Sequence, residues 1–258
     1  MASAIVAVGD ELVSGFILDT NSHWLAQQLR RLGRPVKRVT AIRDRPDEIV
    51  EELHRCLADP EIEDVFTSGG LGPTPDDRTF ESVAAALRRE LVIHEPALQR
   101  ALRRTQLLDE LGLIDASQAR EGNERMARIP ADPAYVFRNR KGMAPGLAYE
   151  VDGHRLFVLP GVPSEFKGIF LEELEPGFLV GRAAPVVREL RYRYAVEARF
   201  YGVMRELEHS HPDVSVGSYP NMDTRELLLR ASGEDAGRVS EAIERIRARA
   251  AALGLTPI

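Results

Sequence analysis

The fold of the first part of the chain is indicated by the stretch Ser68-Gly69-Gly70-Leu71-Gly72-Pro73-Thr74-Pro75-Asp76-Asp77-Arg78-Thr79. This stretch joins a predicted strand to a predicted helix. The run 63–68 before it is predicted to be a buried strand. In the segment 79–89 after it, Val83 and Leu87 lie four residues apart, as on one face of a helix. A strand that turns through glycines into a helix is typical of a parallel sheet with crossover helices.

The segments before this stretch repeat the same alternation. The residues Ala4 to Val8 form an apolar run of the kind found in buried parallel strands, and Asn21 is the expected N-cap of the helix that follows. The expected fold is therefore α/β, a parallel sheet with helices on both faces. The predicted elements are strand 4–8, a helix from Asn21 to Gly33, strand 35–42, helix 44–59, strand 63–68 and helix 79–89.

The remainder of the chain is predicted to extend this sheet and then to form a second domain. The pair Asp152-Gly153 is a strong hairpin signal between two strands. The stretch 176–185, rich in Gly, Pro and Ala, is the predicted boundary between domains at 1–180 and 186–258. The later predicted elements are a mostly helical region 90–128, strands 134–137, 146–151 and 156–159, helix 164–174, and a β-α-β-β-α unit at 189–196, 199–209, 214–219, 226–232 and 236–253.

Composition and charge exclude several classes of protein. The 258 residues include 34 Lys and Arg against 40 Asp and Glu, a formal net charge of −6, which argues against general nucleic-acid binding. The single cysteine, Cys56, excludes an internal disulfide and a cysteine-ligated zinc site. No apolar run approaches the roughly 20 residues of a membrane span, and the N-terminus lacks a basic signal-peptide start. We expect a cytoplasmic protein without nucleic-acid or membrane partners.

The glycines of the 68–79 stretch predict a phosphate-binding loop. They would let backbone amides approach a ligand, and the N-terminus of the following helix favours an anion. Asp76 and Asp77 would repel a bare phosphate, unless a divalent cation such as Mg²⁺ lies between acid and phosphate. The alternative is a glycine-rich turn in which Asp77 only caps the helix.

A second loop with polar groups follows the first strand. Gly9-Asp10-Glu11-Leu12 and Asp19-Thr20-Asn21 would lie at the carboxyl edge of the sheet, where ligands bind in α/β folds. Their carboxylates and amide could bind a metal ion, a ribose or a base. The alternative is that Asp10 and Glu11 only stabilise the start of a helix.

A third pair of loops, 139–146 and 159–167, flanks the later strands. Lys141 could bind phosphate together with the loop amides, and Glu165 could complete an acidic cluster. Pro163 and Glu165 also fit the first turn of a helix. The alternative is a pair of ordinary turns.

Together these loops resemble the competence/damage-inducible, CinA-type proteins, which share the molybdopterin-binding fold of the MoaB/Mog enzymes. The most specific element is the long motif from Gly69 to Thr79, and Ser68 before it stands where the family often has Thr. The resemblance covers nearly the whole chain in order. The segments that carry it are 9–15 with 19–21, 69–79, Asn139, Gly142, 144–146, 159–165 and 212–220.

The resemblance implies a doubly wound, mostly parallel MoaB/Mog-like sheet at 1–180 and a small KH-like α+β unit at 186–258, without implying RNA binding. It implies a pyrophosphatase for ADP-ribose or a similar dinucleotide, dependent on a divalent metal ion (Mg, Mn or Co), with potassium as a further candidate cation. Longer bacterial relatives carry a nicotinamide-mononucleotide deamidase domain. Because the sequence stops at Ile258, that activity is not expected here.

The resemblance and the loop chemistry give one hypothesis for the site. Water attacks one phosphorus of a small nucleotide substrate, and a nucleoside monophosphate leaves. Asp76 and Asp77 bind the metal ion, and with Glu165 they form the catalytic acidic cluster. Substrate contacts are predicted for Asp10, Asn21, Ser68, Gly69, Gly70, Gly72, Thr74, Asn139, Lys141 and Gly161.

Two other functions stay open at this point: a protein that binds or adenylylates a pterin, and a non-catalytic nucleotide-binding module. A homo-oligomer, either a dimer or a trimer, is expected because related proteins assemble through the large domain. The region 90–128 offers apolar helical faces for such a contact, unless these pack within the chain. The residues concerned are Leu107, Leu108, Leu111 and Leu113.

Overall fold

The computed structural model describes residues 1–258, and its backbone packs into two units, Met1–Arg182 and Ala183–Ile258. None of its helices combines the length and apolar character needed to cross a membrane. The strands of the large unit are β1 (Ala2–Val8), β2 (Val36–Ile42), β3 (Ile62–Ser68), β4 (Leu91–Ile93), β5 (Arg128–Pro130), β6 (Tyr135–Phe137), β7 (Gly146–Val151) and β8 (His154–Leu159).

The large unit contains seven α-helices, which lie between its strands along the chain or after the last of them. They are α1 (Asp10–Val13), α2 (Thr20–Arg31), α3 (Pro46–Leu57), α4 (Thr79–Leu87), α5 (Glu95–Glu110), α6 (Arg120–Ala127) and α7 (Pro163–Ile169). A 3₁₀ turn (Ala116–Gln118) lies between α5 and α6, and a π-helical segment (Phe170–Leu179) follows α7.

Six strands form the main sheet in the order β2-β1-β3-β8-β7-β6. The first four are parallel, and β7 is antiparallel to both of its neighbours. Successive side chains of a strand point to opposite faces, so Ala4, Val6 and Val8 pack with α3 and α4, whereas Ile5 packs with α2 and α7. Helices therefore cover both faces, and the expected α/β class is confirmed.

The small unit has the predicted order of elements. The elements are β9 (Val186–Arg193), a 3₁₀ turn (Glu197–Phe200), α8 (Tyr201–Ser210), β10 (Ser215–Asn221), β11 (Glu226–Gly233) and α9 (Ala236–Ala252). Its sheet is antiparallel, in the order β10-β11-β9. Leu227, Leu229 and Ala231 alternate with half-buried residues along β11 and form a core with Ile243 and Ile246 of α9.

Several local predictions were wrong. Asn21 is not the N-cap of α2: Asp19 occupies that position, and its Oδ1 accepts a hydrogen bond from the Ser22 amide at 2.9 Å. The region 90–128 is mostly helical but also contains β4 and begins β5, which pair with each other. The residues 176–179, in contrast, lie in the large unit as the predicted domain 1–180 has it, because Leu179 is fully buried in its core.

The apolar residues of α5 and the turn after it remain largely exposed. Leu107, Leu111 and Leu113 are exposed by 55%, 63% and 67%, so the alternative of packing within the chain fails for these three. A contact between subunits at this surface stays a prediction.

A buried ionic cluster closes the amino-terminal edge of the parallel strands. Asp64 is 1% exposed and accepts hydrogen bonds from Arg34 and Arg155, each at 2.7 Å. The same two guanidinium groups donate to the carbonyl oxygens of Phe178 and Leu179. The cluster thus fixes the end of the π-helical segment to β3 and β8.

The first prediction concerns this cluster. Asp64→Ala should lower the free energy of unfolding by about 3–5 kcal/mol, because it removes the nearest carboxylate of the buried Arg34 and a hydrogen-bond acceptor of the half-buried Arg155. Urea-induced unfolding measures the loss. Glu61→Ala, which removes an exposed carboxylate bound by Lys37 at 2.6 Å, is the control and should have a much smaller effect. Equal losses for the two variants would contradict the structural role of the cluster.

Candidate active site

A cavity of about 660 Å³ lies at the carboxyl ends of β1, β3 and β8. This is the point where the chain reverses its direction of travel across the sheet, the usual place for a ligand in such folds. Its volume falls within the range of small-molecule sites. Most of the predicted site residues line it: Asn21, Ser68, Gly69, Gly70, Gly72, Asp76, Asp77, Lys141, Gly161 and Glu165.

The glycine loop is shaped by close contact with β1 and α4. Gly69 has φ of 115°, and a β-carbon there would overlap the carbonyl oxygen of Val8. Thr79, the first residue of α4, fixes the loop from the other side: its hydroxyl donates to the Gly69 carbonyl at 2.9 Å and its amide to the Gly70 carbonyl at 3.0 Å. The path of the loop therefore requires glycine at position 69, where any side chain would overlap β1.

The amides of this loop are not equivalent. The Gly69 amide donates to the Leu159 carbonyl at 3.1 Å, so the prediction that it holds phosphate was wrong: the sheet already uses it. The amides of Gly70 and Gly72 donate to no protein acceptor. Together with the amide of Leu71, which is also free and belongs to a cavity-lining residue, they are donors of the loop that a ligand could use.

A turn within the loop holds the adjacent aspartates. The Asp77 carboxylate accepts hydrogen bonds from the Thr74 amide at 2.9 Å and the Thr74 hydroxyl at 2.5 Å. A β-carbon on Gly72 would lie 2.5 Å from Asp77 Oδ2, so the carboxylate rests against the bare backbone. Asp76 is exposed, and the neighbouring polar groups of the turn, the Thr74 side chain foremost, hold the pKa of its carboxyl below the ordinary value.

Thr74 itself does not line the cavity, so the structure does not support its predicted substrate contact. Its hydroxyl and amide are occupied by Asp77. Asp77 is also not the cap of α4: the N-cap position belongs to Arg78, without a side-chain hydrogen bond. Thr74 therefore positions the aspartates from outside the cavity.

Helix α6 supports the same turn from behind. Arg125 donates to the carbonyl oxygens of Asp77 at 2.7 Å and Pro75 at 3.3 Å. Gly122 of α6 has no room for a side chain, because a β-carbon would lie 2.8 Å from the Pro73 side chain. The path of the acidic turn is thus set by contacts along its length.

Asn139 orients Glu165. Its Nδ2 donates to Glu165 Oε2 at 2.5 Å and to the Ala144 carbonyl at 2.9 Å, and its Oδ1 accepts from the Gly142 amide at 2.7 Å. Asn139 is buried with its side-chain partners inside the protein and does not line the cavity, so its predicted substrate contact is corrected to a positioning role. Glu165 and Lys141 do line the cavity.

Asn21 bridges two strands below the cavity. Its Nδ2 donates to Ser68 Oγ at 3.0 Å and to the Gly161 carbonyl at 2.7 Å. Since the Gly161 carbonyl can only accept, the other end of the amide must be the oxygen. That oxygen is buried without a hydrogen-bond partner, which leaves one acceptor of a cavity-lining residue unsatisfied.

Asp10 lies beside the cavity without lining it, so its predicted substrate contact is not supported. Its amide donates to Asp44 Oδ2 at 2.9 Å. Asp44 and Glu11 line the cavity instead. Burial raises the pKa of the Asp44 carboxyl, the Asp10 amide opposes that rise, and the charges of Glu11, Asp10 and Asp77 add to it.

Sequence reasoning missed Asp44 although a signal existed. Asp44 lies two residues after the end of β2 and thus at the same sheet edge as the other loops, but the sequence pattern places it in the next helix, which starts only at Pro46. Arg104 and Leu108 of α5 also line the cavity. They lie four residues apart on one helix face, and nothing in the sequence connects that face with the loops.

No three side chains of His, Cys, Asp or Glu converge where they could hold a metal ion by themselves. Magnesium is commonly bound by one or two carboxylates together with phosphate oxygens and water. The oxygen donors of Asp76 and Asp77, adjacent along one turn of the cavity wall, fit a divalent cation of that kind. They do not form a protein-only metal cage.

The sheet order and the polar cavity at its switch point define an α/β protein of the doubly wound class. The chain belongs to the family described as "Probable molybdopterin binding domain", which matches residues 4–179. The chain is 34% identical to the protein TK1472 of Thermococcus kodakarensis over 251 residues. This alignment covers 96% of this chain and 97% of that relative. A protein of Aeropyrum pernix is 35% identical over 263 residues, covering 97% and 94%.

One solved structure is similar in arrangement to about two thirds of this chain. The crystal structure of the protein CinA with unknown function from Thermoplasma acidophilum has a TM-score of 0.58 and 30% identity, over 69% of this chain and 98% of that chain. The molybdopterin biosynthesis enzyme MoaB from Thermus thermophilus gives a TM-score of 0.44 and 21% identity, over 69% and 91%. The expected resemblance to CinA-type proteins is confirmed.

The second prediction concerns the contact between Gly142 and Glu165. A β-carbon at Gly142 would overlap the Glu165 carboxylate, so Gly142→Ala must displace that side chain from Asn139. We expect a loss of about 1 kcal/mol in the free energy of unfolding, measured with urea, because the flexible Glu165 side chain can move aside but gives up its hydrogen bond from Asn139. Gly177→Ala, with no atom within 4 Å of the added carbon, is the control.

A double variant identifies the cause of that loss. If the overlap with the carboxylate is responsible, adding Gly142→Ala to a Glu165→Ala protein should cost much less than adding it to the native one. Equal costs in the two backgrounds would contradict the proposed contact.

The third prediction concerns pH. The folded chain raises the pKa of the Asp44 carboxyl, so ionising it opposes folding. As pH rises from about 4, the ordinary pKa of Asp, through the folded-state pKa, the native protein should lose stability relative to Asp44→Asn. Below that range the difference between the two proteins should be constant.

Thermal unfolding of both proteins at a series of pH values measures this effect. Asp47→Asn, an exposed carboxylate at the start of α3, controls for the loss of one carboxylate outside the cavity. A native protein that gains stability relative to Asp44→Asn as pH rises through this range would contradict the prediction.

Proposed function

We propose that this protein is a metal-dependent hydrolase of the diphosphate linkage in a small nucleotide such as ADP-ribose. One observation carries the proposal: residues with free backbone amides, Gly70 and Gly72, line the same cavity as the neighbouring carboxylates of Asp76 and Asp77. Free amides suit phosphate oxygens and carboxylates suit a hard divalent cation. Phosphoanhydride hydrolysis needs both kinds of group at one place.

Three features of the cavity favour the binding of phosphate. The free amides lie in the loop that leads into α4, whose N-terminus favours negative charge. Lys141 lines the same cavity, and the atoms of its stem pack 3.5–3.9 Å from the position that a β-carbon would take on Gly168. A diphosphate bound here would thus meet neutral donors and a cation that is supported along its stem.

The acidic turn supports the chemical step. In the proposal, Asp76 and Asp77 hold the divalent ion, and Thr74 and Arg125 keep the turn in place. When bound, such an ion neutralises developing phosphate charge and lowers the pKa of water. Glu165, oriented by Asn139, supplies a further carboxylate beside the loop amides. Water attacks one phosphorus and the nucleoside monophosphate leaves.

The other walls of the cavity suit the remainder of a nucleotide. Apolar side chains of Leu12, Ile17 and Leu108 could pack against a base. The carboxylates of Glu11 and Asp44 can accept hydrogen bonds from ribose hydroxyls. These features favour a substrate larger than inorganic diphosphate.

The fourth prediction tests the proposed activity. The native protein should convert ADP-ribose to AMP and ribose 5-phosphate with Mg²⁺, Mn²⁺ or Co²⁺, and chromatography of the products measures the rate. Asp77→Asn keeps an acceptor for Thr74 but removes the charge, and should reduce kcat by about 10²-fold. Asp152→Asn, in the hairpin at the opposite sheet edge, is the control and should retain the native rate.

Two results would contradict the proposal in different ways. An Asp77→Asn protein with full activity would remove Asp77 from its role. Absence of AMP with all three metal ions would reject ADP-ribose hydrolysis itself.

A second candidate is favoured by the family description. The cavity could bind a pterin, in keeping with the words "Probable molybdopterin binding domain" for residues 4–179. Isothermal titration with a molybdopterin precursor and with ADP-ribose would rank the two ligands. Binding of nucleotide without turnover would instead favour a non-catalytic module.

A further inference from the structure

The side chains that line the cavity are unbalanced in charge. Only two are basic, Lys141 and Arg104. The acidic side chains that line it are Glu11, Asp19, Asp44, Asp76, Asp77 and Glu165. An anionic ligand therefore meets more repulsion than attraction from side chains, so each of the two cations is expected to matter for its binding.

Arg104 reaches the cavity from a different element than the loops do. It lies on α5, and its guanidinium group has no ion pair and no hydrogen bond within the protein. Leu108, four residues further along, also lines the cavity, so this face of α5 forms part of the wall. A cation that the protein leaves unpaired in this position is available to a ligand.

The backbone of α5 at Arg104 is anchored by the next residue. Thr105 is 3% exposed, and its hydroxyl donates to Asn123 Oδ1 at 3.1 Å. The same hydroxyl lies 3.9 Å from the sulfur of Met143, which lines the cavity two residues after Lys141. The backbone that carries Arg104 is thus anchored both to α6, which holds the acidic turn, and to the loop that carries Lys141.

We propose that Arg104 is a phosphate-binding residue of this cavity and that, with Lys141, it gives the site its preference for phosphorylated ligands. The inference deepens the proposed function and rests on the same cavity, but it concerns binding alone. Arginine suits this role because its planar guanidinium group can donate two parallel hydrogen bonds to phosphate oxygens. The ligand class it selects is a phosphate ester or anhydride, in place of an uncharged nucleoside.

The test measures binding with a ligand that cannot be hydrolysed. Isothermal titration compares α,β-methylene-ADP, whose phosphorus atoms are joined by carbon, with adenosine, both in the presence of Mg²⁺. The native protein should bind the phosphorylated ligand more tightly. Arg104→Ala should weaken its binding about tenfold or more, and Arg104→Lys should lie between the two, while adenosine binding stays unchanged in all of them.

Arg103 provides the matched control. It precedes Arg104 on the same helix and is also exposed, but it does not line the cavity. Arg103→Ala changes the net charge by the same amount, so it should leave binding of α,β-methylene-ADP at the native value. A thermal melt of each variant checks that the fold is retained.

The outcomes separate this inference from the proposed hydrolysis. If Arg104→Ala binds α,β-methylene-ADP as tightly as the native protein, or no more weakly than Arg103→Ala, the inference is overturned. It is also overturned if the native protein does not prefer the phosphorylated ligand to adenosine. If Arg104→Ala binds weakly but the native protein releases no AMP from ADP-ribose, the hydrolysis proposal fails and the phosphate site stands.

Discussion

The rest of the large unit depends on a close approach of backbone at the carboxyl ends of three parallel strands. Gly69, after β3, lies so near the Val8 carbonyl at the end of β1 that a side chain would overlap it. A β-carbon on Gly161, after β8, would lie 3.1 Å from the Gly69 α-carbon. Hydrogen bonds fix the spacing of the strands, so the strands cannot move apart to make room for a side chain. Glycine fits at positions 69 and 161 because it has no β-carbon. The crowding also lets Asn21 bridge β3 and β8, and the loops then enclose one cavity.

Carboxylates at the two edges of the sheet have opposite kinds of partner. At the amino-terminal edge, Asp64 is buried between Arg34 and Arg155 and its charge is compensated. At the carboxyl edge, Asp77 and Glu165 rest against Gly72 and Gly142 and are held by neutral donors. Holding carboxylates without basic partners keeps their charge directed at the cavity. Carboxylates that line a cavity without a basic partner in the protein are available to a cation that enters with a ligand.

Sequence reasoning could predict the fold because strand, glycine turn and helix repeat in order along the chain. It located the loops of the site because carboxyl ends of parallel strands meet at one edge. It could not assign roles within them: Thr74 and Asn139 lie in the right loops, but their polar groups are used by Asp77 and Glu165. Asn21 failed as a helix cap because Asp19 occupies that position. Arg104 could not be predicted as a residue of the cavity, because no sequence pattern relates an exposed helix face to a distant loop.

The fold alone does not decide between a nucleotide and a pterin, because both can place a phosphate on a helix-terminal loop. The charges of the cavity constrain the ligand more than the scaffold does. With Glu11, Asp44, Asp76 and Asp77 in one wall, an isolated phosphate is disfavoured, and so is any ligand that brings no counter-charge. On the proposed function, affinity for a divalent cation and affinity for a phosphorylated ligand must therefore rise together, by the reciprocity of linked binding. A ligand whose affinity is indifferent to divalent cations would have to bind away from the acidic turn, on the side of the cavity formed by α5 and Lys141.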